Sequence, residues 1–304
     1  RGERLSRRAM EQTQNLSWGL RAEHAPYFAG PALSEFVVAT GGMTIGRNEW
    51  FVRAIEPDGT VVEPYEFEFF ERPITVEDEV ARARLGHLSP RMRERAEERE
   101  RGGATRRAVR VSSRPEPVRV QLPHHDYRPY NKARPDRLYA RPSHVVYWRG
   151  DGDAVLTFKR DGPWYLHGVG GQPFFGREGI TWQLVAPRIN ARYLPPGFIL
   201  DSGAPCGFLR ERVARRELFV VLGWLQTSLA TRLLKEVVNH TRNIQGKDIE
   251  RLPYPHWVAP HLLDEVAVMV EHEVMRAMNG IQIAADLGKR LDAIFDPAAA
   301  ERAA

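Results

Sequence analysis

The sharpest constraint in this 304-residue chain is a change of character at residue 214. Before it, apolar residues come in short alternating runs: 35–40 (EFVVAT), 50–55 (WFVRAI), 60–70 (TVVEPYEFEFF), 118–122, 143–148, 154–158 and 197–200. Gly, Pro and Asp-Gly separate them, the pattern of strands and turns. After it, residues 214–238 (ARRELFVVLGWLQTSLATRLLKEVV), 261–278 and 281–295 carry apolar side chains at helical spacing. Pro253, Pro255 and Pro260 divide the first helical block from the other two, and Gly280 stands where a helix C-terminus favours it. Strands followed by helices define an α+β chain rather than an alternating α/β one.

Finer punctuation fills in the rest. Thr75-Val-Glu-Asp78 has capping-box form, and Ser89-Pro90 pairs an N-cap with a first helical residue. The helix that Pro90 would open (RMRERAEERER) has no apolar stripe, so it is expected as a solvated helix or a disordered loop. Residues 102–117 are polar, Arg-rich and Pro-punctuated, the composition of a mobile connector. Asp151-Gly152 is expected as a hairpin turn leading into a strand at 154–158.

Charge is uneven. The net charge is +5, and residues 91–119 alone hold ten arginines against five glutamates, so the remainder sums to zero. Arginine forks suit phosphates and guanine edges, whereas a solvated linker is the plainer reading of this stretch. The single cysteine, Cys206, excludes an internal disulfide and a zinc ribbon, and a cytoplasmic location is expected. No apolar run is long enough to cross a membrane. The chain opens on Arg1, which points to a piece of a longer polypeptide.

Catalytic motifs fail in turn. Adenine-N6 methylation uses an Asp/Asn-Pro-Pro-aromatic tetrad that holds a flipped base, and the only Pro-Pro here sits in Leu194-Pro-Pro-Gly197. His167-Gly-Val-Gly-Gly171 runs on into Gln-Pro-Phe-Phe, so it does not open a helix over a cofactor. The Asp153–Lys159 run faintly matches a metal-nuclease strand but has threonine where a second carboxylate belongs. His124-His125-Asp126 has the composition of a metal cluster with no partner spacing to support it, so surface histidines are expected and no metal. No catalytic residue is assigned.

Four segments nevertheless share a pattern: Gly41-Gly-Met-Thr-Ile-Gly-Arg-Asn-Glu-Trp-Phe-Val-Arg53; Pro129-Tyr-Asn-Lys132 with Val145–Trp148 and Asp151-Gly152; Gly179-Ile-Thr-Trp182 with Ala191–Phe198 and Asp201; and Leu222–Leu225 with Asn239–Asn243, Gln245, Lys247–Ile249 and Leu252-Pro253. In that order they resemble the target-recognition region of adenine-specific methyltransferases of BREX-type phage defence and of related type IIG restriction-modification enzymes. The resemblance spans roughly residues 35–255. It departs from the family at Ala133-Arg134, where glycines are usual, and over 73–118, which does not align.

The resemblance implies a mixed-sheet recognition domain like restriction-modification specificity domains, followed by C-terminal helices. Residues 1–34 would lead in from an upstream domain, 35–255 would read DNA with a charged insertion at 73–118, and 256–304 would form a helical pair. The function implied is sequence-specific recognition of duplex DNA for a methyltransferase catalytic domain, in the same parent chain or a separate subunit. S-adenosylmethionine would belong to that domain, and no cofactor is expected in this chain. The alternative is an interaction scaffold among defence-complex proteins.

The candidate DNA-binding residues are Arg47, Asn48, Lys132, Arg192, Arg242, Asn243 and Lys247. Gly41, Gly42 and Gly46 permit a tight loop with positive φ that could present Arg47 to guanine and Asn48 to adenine; the competing reading is a strand turn with Trp50 and Phe51 in the core. Lys132 suits a phosphate and Tyr130 a stacked ring or hydrogen bond, against a rigid Pro-Tyr turn. Arg192 either clamps a phosphate or forms a buried pair with Asp201, and the pair is favoured. Arg242, Asn243 and Lys247 could hold a phosphate or cap helices. Base reading is assigned to 91–125 and 158–178, the stretches peculiar to this chain.

Overall fold

A computed structural model describes residues 23–63, 65–76, 90–112, 116–161 and 169–296. Residues 1–22 of the expected lead-in segment, the second half of the 75–78 capping box and residues 162–168 lie outside these ranges. The architecture is mixed α+β with several small sheets.

The strands are β1 (Val37–Thr40), β2 (Val52–Ala54), β3 (Thr60–Val62), β4 (Phe67–Pro73), β5 (Thr105–Val111), β6 (Arg119–Gln121), β7 (Tyr127–Asn131), β8 (His144–Tyr147), β9 (Gly179–Thr181), β10 (Arg192–Leu194), β11 (Ile199–Leu200) and β12 (Cys206–Leu209). One antiparallel sheet has the order β1-β12-β9-β10. A second, ordered β11-β7-β8-β2, is mixed, because β11 runs parallel to β7 while the other pairs are antiparallel. The pairs β3–β6 and β4–β5 stand apart.

The helices are α1 (Asn48–Phe51), α2 (Pro90–Arg101), α3 (Arg149–Asp161), α4 (Arg216–Leu225), α5 (Ser228–Leu233), α6 (Gly246–Arg251), α7 (Pro260–Met278) and α8 (Leu287–Phe295), with a π turn at Leu234–Val238. The long block from 214 is therefore broken. Thr227 restarts it as an N-cap, its hydroxyl accepting from the Ala230 amide. Gly280 ends α7 with φ +80°, as its position anticipated.

Two expectations are corrected by packing. Residues 154–158 are helical, not a strand: Gly150, Asp151 and Gly152 adopt left-handed conformations and turn the chain into α3, which buries Ala154, Val155 and Phe158. A short apolar run is ambiguous between strand and buried helix by pattern alone. Within the expected connector at 102–117, residues 105–111 are not mobile linker but strand, because β5 pairs with β4 over seven residue pairs. Its arginines are tied down by carboxylates distant in sequence: Arg106 to Asp161, Arg107 to Asp153 and Arg110 to Glu68. Arg107 and Arg110 also lie over the rings of Phe69 and Phe70. The polar helix α2 does form and is exposed along its length apart from Ala96.

The largest core joins Trp182 and the β9–β10 strands to α4, α5, α7 and α8. Gly223 is where α4 meets the C-terminal helices, since a Cβ there would stand 2.8 Å from Val266 and 3.0 Å from Val270. A smaller core gathers Met43, Ile45, Phe51, Tyr130, Val146, Val155 and Ile199. Trp50 and Phe51 thus pack, as the competing reading of that segment had them, but from the short helix α1 rather than from a strand turn.

Of the three glycines at 41–46, only Gly46 has positive φ, at +90°. Gly42 is required for space: an added Cβ would stand 2.3 Å from the Leu200 carbonyl carbon and 2.5 Å from that of Asp201. Those are backbone atoms and cannot swing aside. Gly42→Ala is expected to destabilise by about 3 kcal/mol. Urea unfolding would check this, and a change below about 1 kcal/mol would mean the 41–43 strap is not held against Leu200.

Candidate nucleic-acid interface

The four segments that carry the resemblance meet around Asp201. The Met43 amide bonds the Leu200 carbonyl at 3.0 Å, and the Ser202 amide returns to the Met43 carbonyl at 3.2 Å. Parallel pairing with β11 lays β7 alongside, so the Tyr130 hydroxyl donates to Asp201 Oδ1 at 2.8 Å. Asn131 Nδ2 lies 2.8 Å from Thr181 Oγ1 and 3.3 Å from the Ala204 carbonyl, joining the second segment to the third. The fourth docks through Trp182, whose indole N–H donates to the Ile244 carbonyl at 3.0 Å.

Beside this junction is a narrow cleft lined by Lys132, Arg134, Arg141, Arg192, Ser143 and Tyr130, among others, with a cavity of about 20 Å³ at its base. That is room for about one water molecule. Lys132 pairs with Asp201 at 3.4 Å, and Arg134 with Asp136 at 2.7 Å. Arg141 is exposed and Arg192 is 3% exposed, yet neither has a carboxylate within 4 Å among the described residues. Four cations and two paired carboxylates leave a local charge of +2.

Arg192 is the unusual member. Its Nη2 donates to the Lys132 carbonyl at 3.2 Å, while its buried Nε has no hydrogen-bond partner. Burial lowers its pKa first, and Arg134 adds to that; Asp136 and Cys206 oppose. Guanidinium remains protonated in proteins, so the buried charge is compensated only in part. Such a group is costly unless paired, and an anion in the cleft is what would pair it.

The neighbouring groups do not act as nucleophiles. Cys206 is fully buried and its thiol is pushed up to about 12, chiefly by burial, so it stays protonated. Burial, then Asp201, raises the Tyr130 hydroxyl far above its ordinary value. Burial, then Lys132, lowers His144 and favours its neutral ring.

The structure brings two of the candidate residues together, Lys132 and Arg192, and places the other five elsewhere. Arg47 is exposed, pairs with Glu49 at 3.1 Å and lies over the Trp50 ring; Asn48 opens α1. Arg242 and Asn243 are exposed on the loop before α6, where their backbone carbonyls bond the Ala186 amide and the Asn239 side chain. Lys247, on α6, pairs with Glu250 at 2.5 Å. The expected Arg192–Asp201 pair is not formed, because Tyr130 and Lys132 occupy Asp201. Tyr130 is buried and cannot stack on a base.

Arg134 and Arg141 were not singled out by sequence. The sequence signal for Arg134 is its place just after Pro129–Lys132, where the family that segment resembles has glycine; Arg141 carries no such signal. No family model matches the chain, and no curated protein sequence matches it.

Proposed function

We propose that this chain is the DNA-recognition module of a site-specific adenine-N6 methyltransferase in a phage-defence or restriction-modification system. The observation that carries the reading is the cleft. Two guanidinium groups without carboxylate partners among the described residues stand where the segments resembling that family converge, and a DNA phosphate is an anion of the required charge. Lys132, Arg134 and Arg141 hold the backbone and fix register, which carries no sequence information by itself, and the buried Arg192 adds positive charge beneath them. Base reading then falls to side chains around the cleft. Arg106, Arg107 and Arg110 contribute less than the charge of 91–119 implied, because carboxylates already hold them. A catalytic domain carrying S-adenosylmethionine would flip and methylate the adenine.

Selection from a randomised duplex pool tests the specific part. A recovered motif containing adenine is expected, and a pool that stays random after enrichment would reduce the chain to a non-specific binder.

A second reading, an interaction scaffold, is supported by the face between α7 and α8. Val268 is 71% exposed there and lines a shallow groove with Met269, Ala293 and Ile294. Under that reading Val268→Glu weakens association with the catalytic subunit by at least about tenfold and leaves DNA affinity unchanged. Unchanged association would remove the groove from consideration.

A further inference from the structure

Where the chain turns into β7, His124, His125 and Asp126 place three donor atoms within 4.8 Å of one another. The carboxylate is the telling member. The Asp126 side chain is 7% exposed, yet its Oδ1 has no hydrogen-bond partner among the described residues. A buried carboxylate oxygen left in this way lacks the compensation that burial ordinarily demands.

Its nearest cationic candidate is the ring of His125, with Nε2 at 3.3 Å. The distance is short, but the pair is not aligned as a hydrogen bond. Two ligands at 2.0–2.2 Å on one tetrahedral zinc ion stand about 3.4 Å apart. The His125–Asp126 pair already has that spacing.

His124 completes the set. Its ring lies 4.4 Å from that of His125 at an interplanar angle of 30°. Its Nδ1 accepts the Asp126 amide at 3.3 Å, a long bond. Ligation through Nε2 moves the ring proton to Nδ1 and gives up that contact. His125 is 80% exposed, so its ring can close the remaining distance without disturbing the core. Arg149 faces the group as well, with Nε 4.0 Å from Asp126 Oδ1, and opposes a cation; at 71% exposed it can turn away.

We propose that His124, His125 and Asp126 form a binding site for a transition-metal dication of the zinc class. Two imidazole nitrogens and one carboxylate oxygen suit zinc, nickel or copper, whereas magnesium and calcium take all-oxygen sets. Three protein ligands leave a fourth position to water. The Asp126 carbonyl accepts the Trp148 amide at 2.7 Å, so the ion would brace the start of β7 against the residues that open α3. This site stands independently of the DNA reading.

The test titrates Zn²⁺ alone into the chelator-stripped full chain by calorimetry, with Co²⁺ absorption as a second readout. One site per chain is expected, undisturbed by millimolar Mg²⁺, with a tetrahedral Co²⁺ band. His125→Ala, at an exposed position that does not threaten folding, should weaken Zn²⁺ by at least about tenfold, and Asp126→Asn should abolish the Co²⁺ band. Absence of saturable Zn²⁺ binding below about 1 mM, or His125→Ala affinity within twofold of the unsubstituted chain, would overturn the proposal.

Discussion

Substituting Lys132→Gln together with Arg141→Glu should lower affinity for a random 20-base-pair duplex by about 30- to 100-fold at low salt. Arg141 is exposed and has no carboxylate partner among the described residues, so reversing it removes an attraction and adds a repulsion without disturbing a pair. Lys132 → Gln keeps a polar group near Asp201, which Tyr130 still holds at 2.8 Å. Both changes act at the cleft, so the slope of log affinity against log salt should fall by about 2. Fluorescence anisotropy across a salt series measures both quantities. A matched substitution at Arg47 and Lys247, which pair with Glu49 and Glu250 and lie outside the cleft, should have the smaller effect. Equal losses at the two pairs would mean the interface is a diffuse basic surface rather than this cleft.

Truncation before Pro260 should prevent folding altogether. The C-terminal helices read in sequence as a separable pair, yet they share the principal core with α4. Leu263, Val266, Ala267, Val270 and Val274 of α7, and Leu287, Leu291 and Phe295 of α8, are all buried in it. At on the order of 2 kcal/mol for each large side chain, the loss is comparable to the whole net stability of a domain, about 5–15 kcal/mol. Polar ties go with them. Asp292 accepts from the Ser228 amide at 2.7 Å, and Trp257 donates to the Phe295 carbonyl at 3.0 Å. Removing residues 260–304 also uncovers Gly223, which Val266 and Val270 face, and Trp224, whose ring packs against Phe295. The expected result is aggregation or the loss of a cooperative melt. A soluble 1–259 fragment with a sharp transition would show that the helices dock on an already complete fold.

Periodicity recovered the parts of the fold that local pattern controls. The helices after 214 and the strands at 37–40, 60–62 and 144–147 announce themselves through apolar spacing. It missed the parts decided by partners far along the chain. β5 reads as a polar Arg-rich tract, because the carboxylates that make it tolerable are Asp153 and Asp161, about fifty residues on. Conversely, 154–158 reads as a strand, and only the left-handed turn at 150–152 and the packing of Phe158 against Trp50 and Phe51 make it a helix.

The cleft was half visible for the same reason. Lys132 and Arg192 stood out within motifs, but Arg134 and Arg141 acquire meaning only when β7, β8 and β10 bring them to one place. The Asp201 partnership was misjudged because a strand arginine needs an acceptor, and sequence does not show that Tyr130 reaches the carboxylate first. His124–Asp126 needed the burial of Asp126 to separate it from a pair of surface histidines.

A cleft with two guanidinium groups that lack a carboxylate within 4 Å among the described residues should grip a DNA phosphate backbone. Anisotropy of the unsubstituted chain on a labelled duplex from about 50 to 200 mM salt tests it most directly. Saturable binding is expected whose logarithm falls linearly with log salt, with a slope of about −3 for Lys132, Arg134 and Arg141, the cleft cations that reach the surface. Affinity that is absent at low salt, or that does not change with salt, would contradict it.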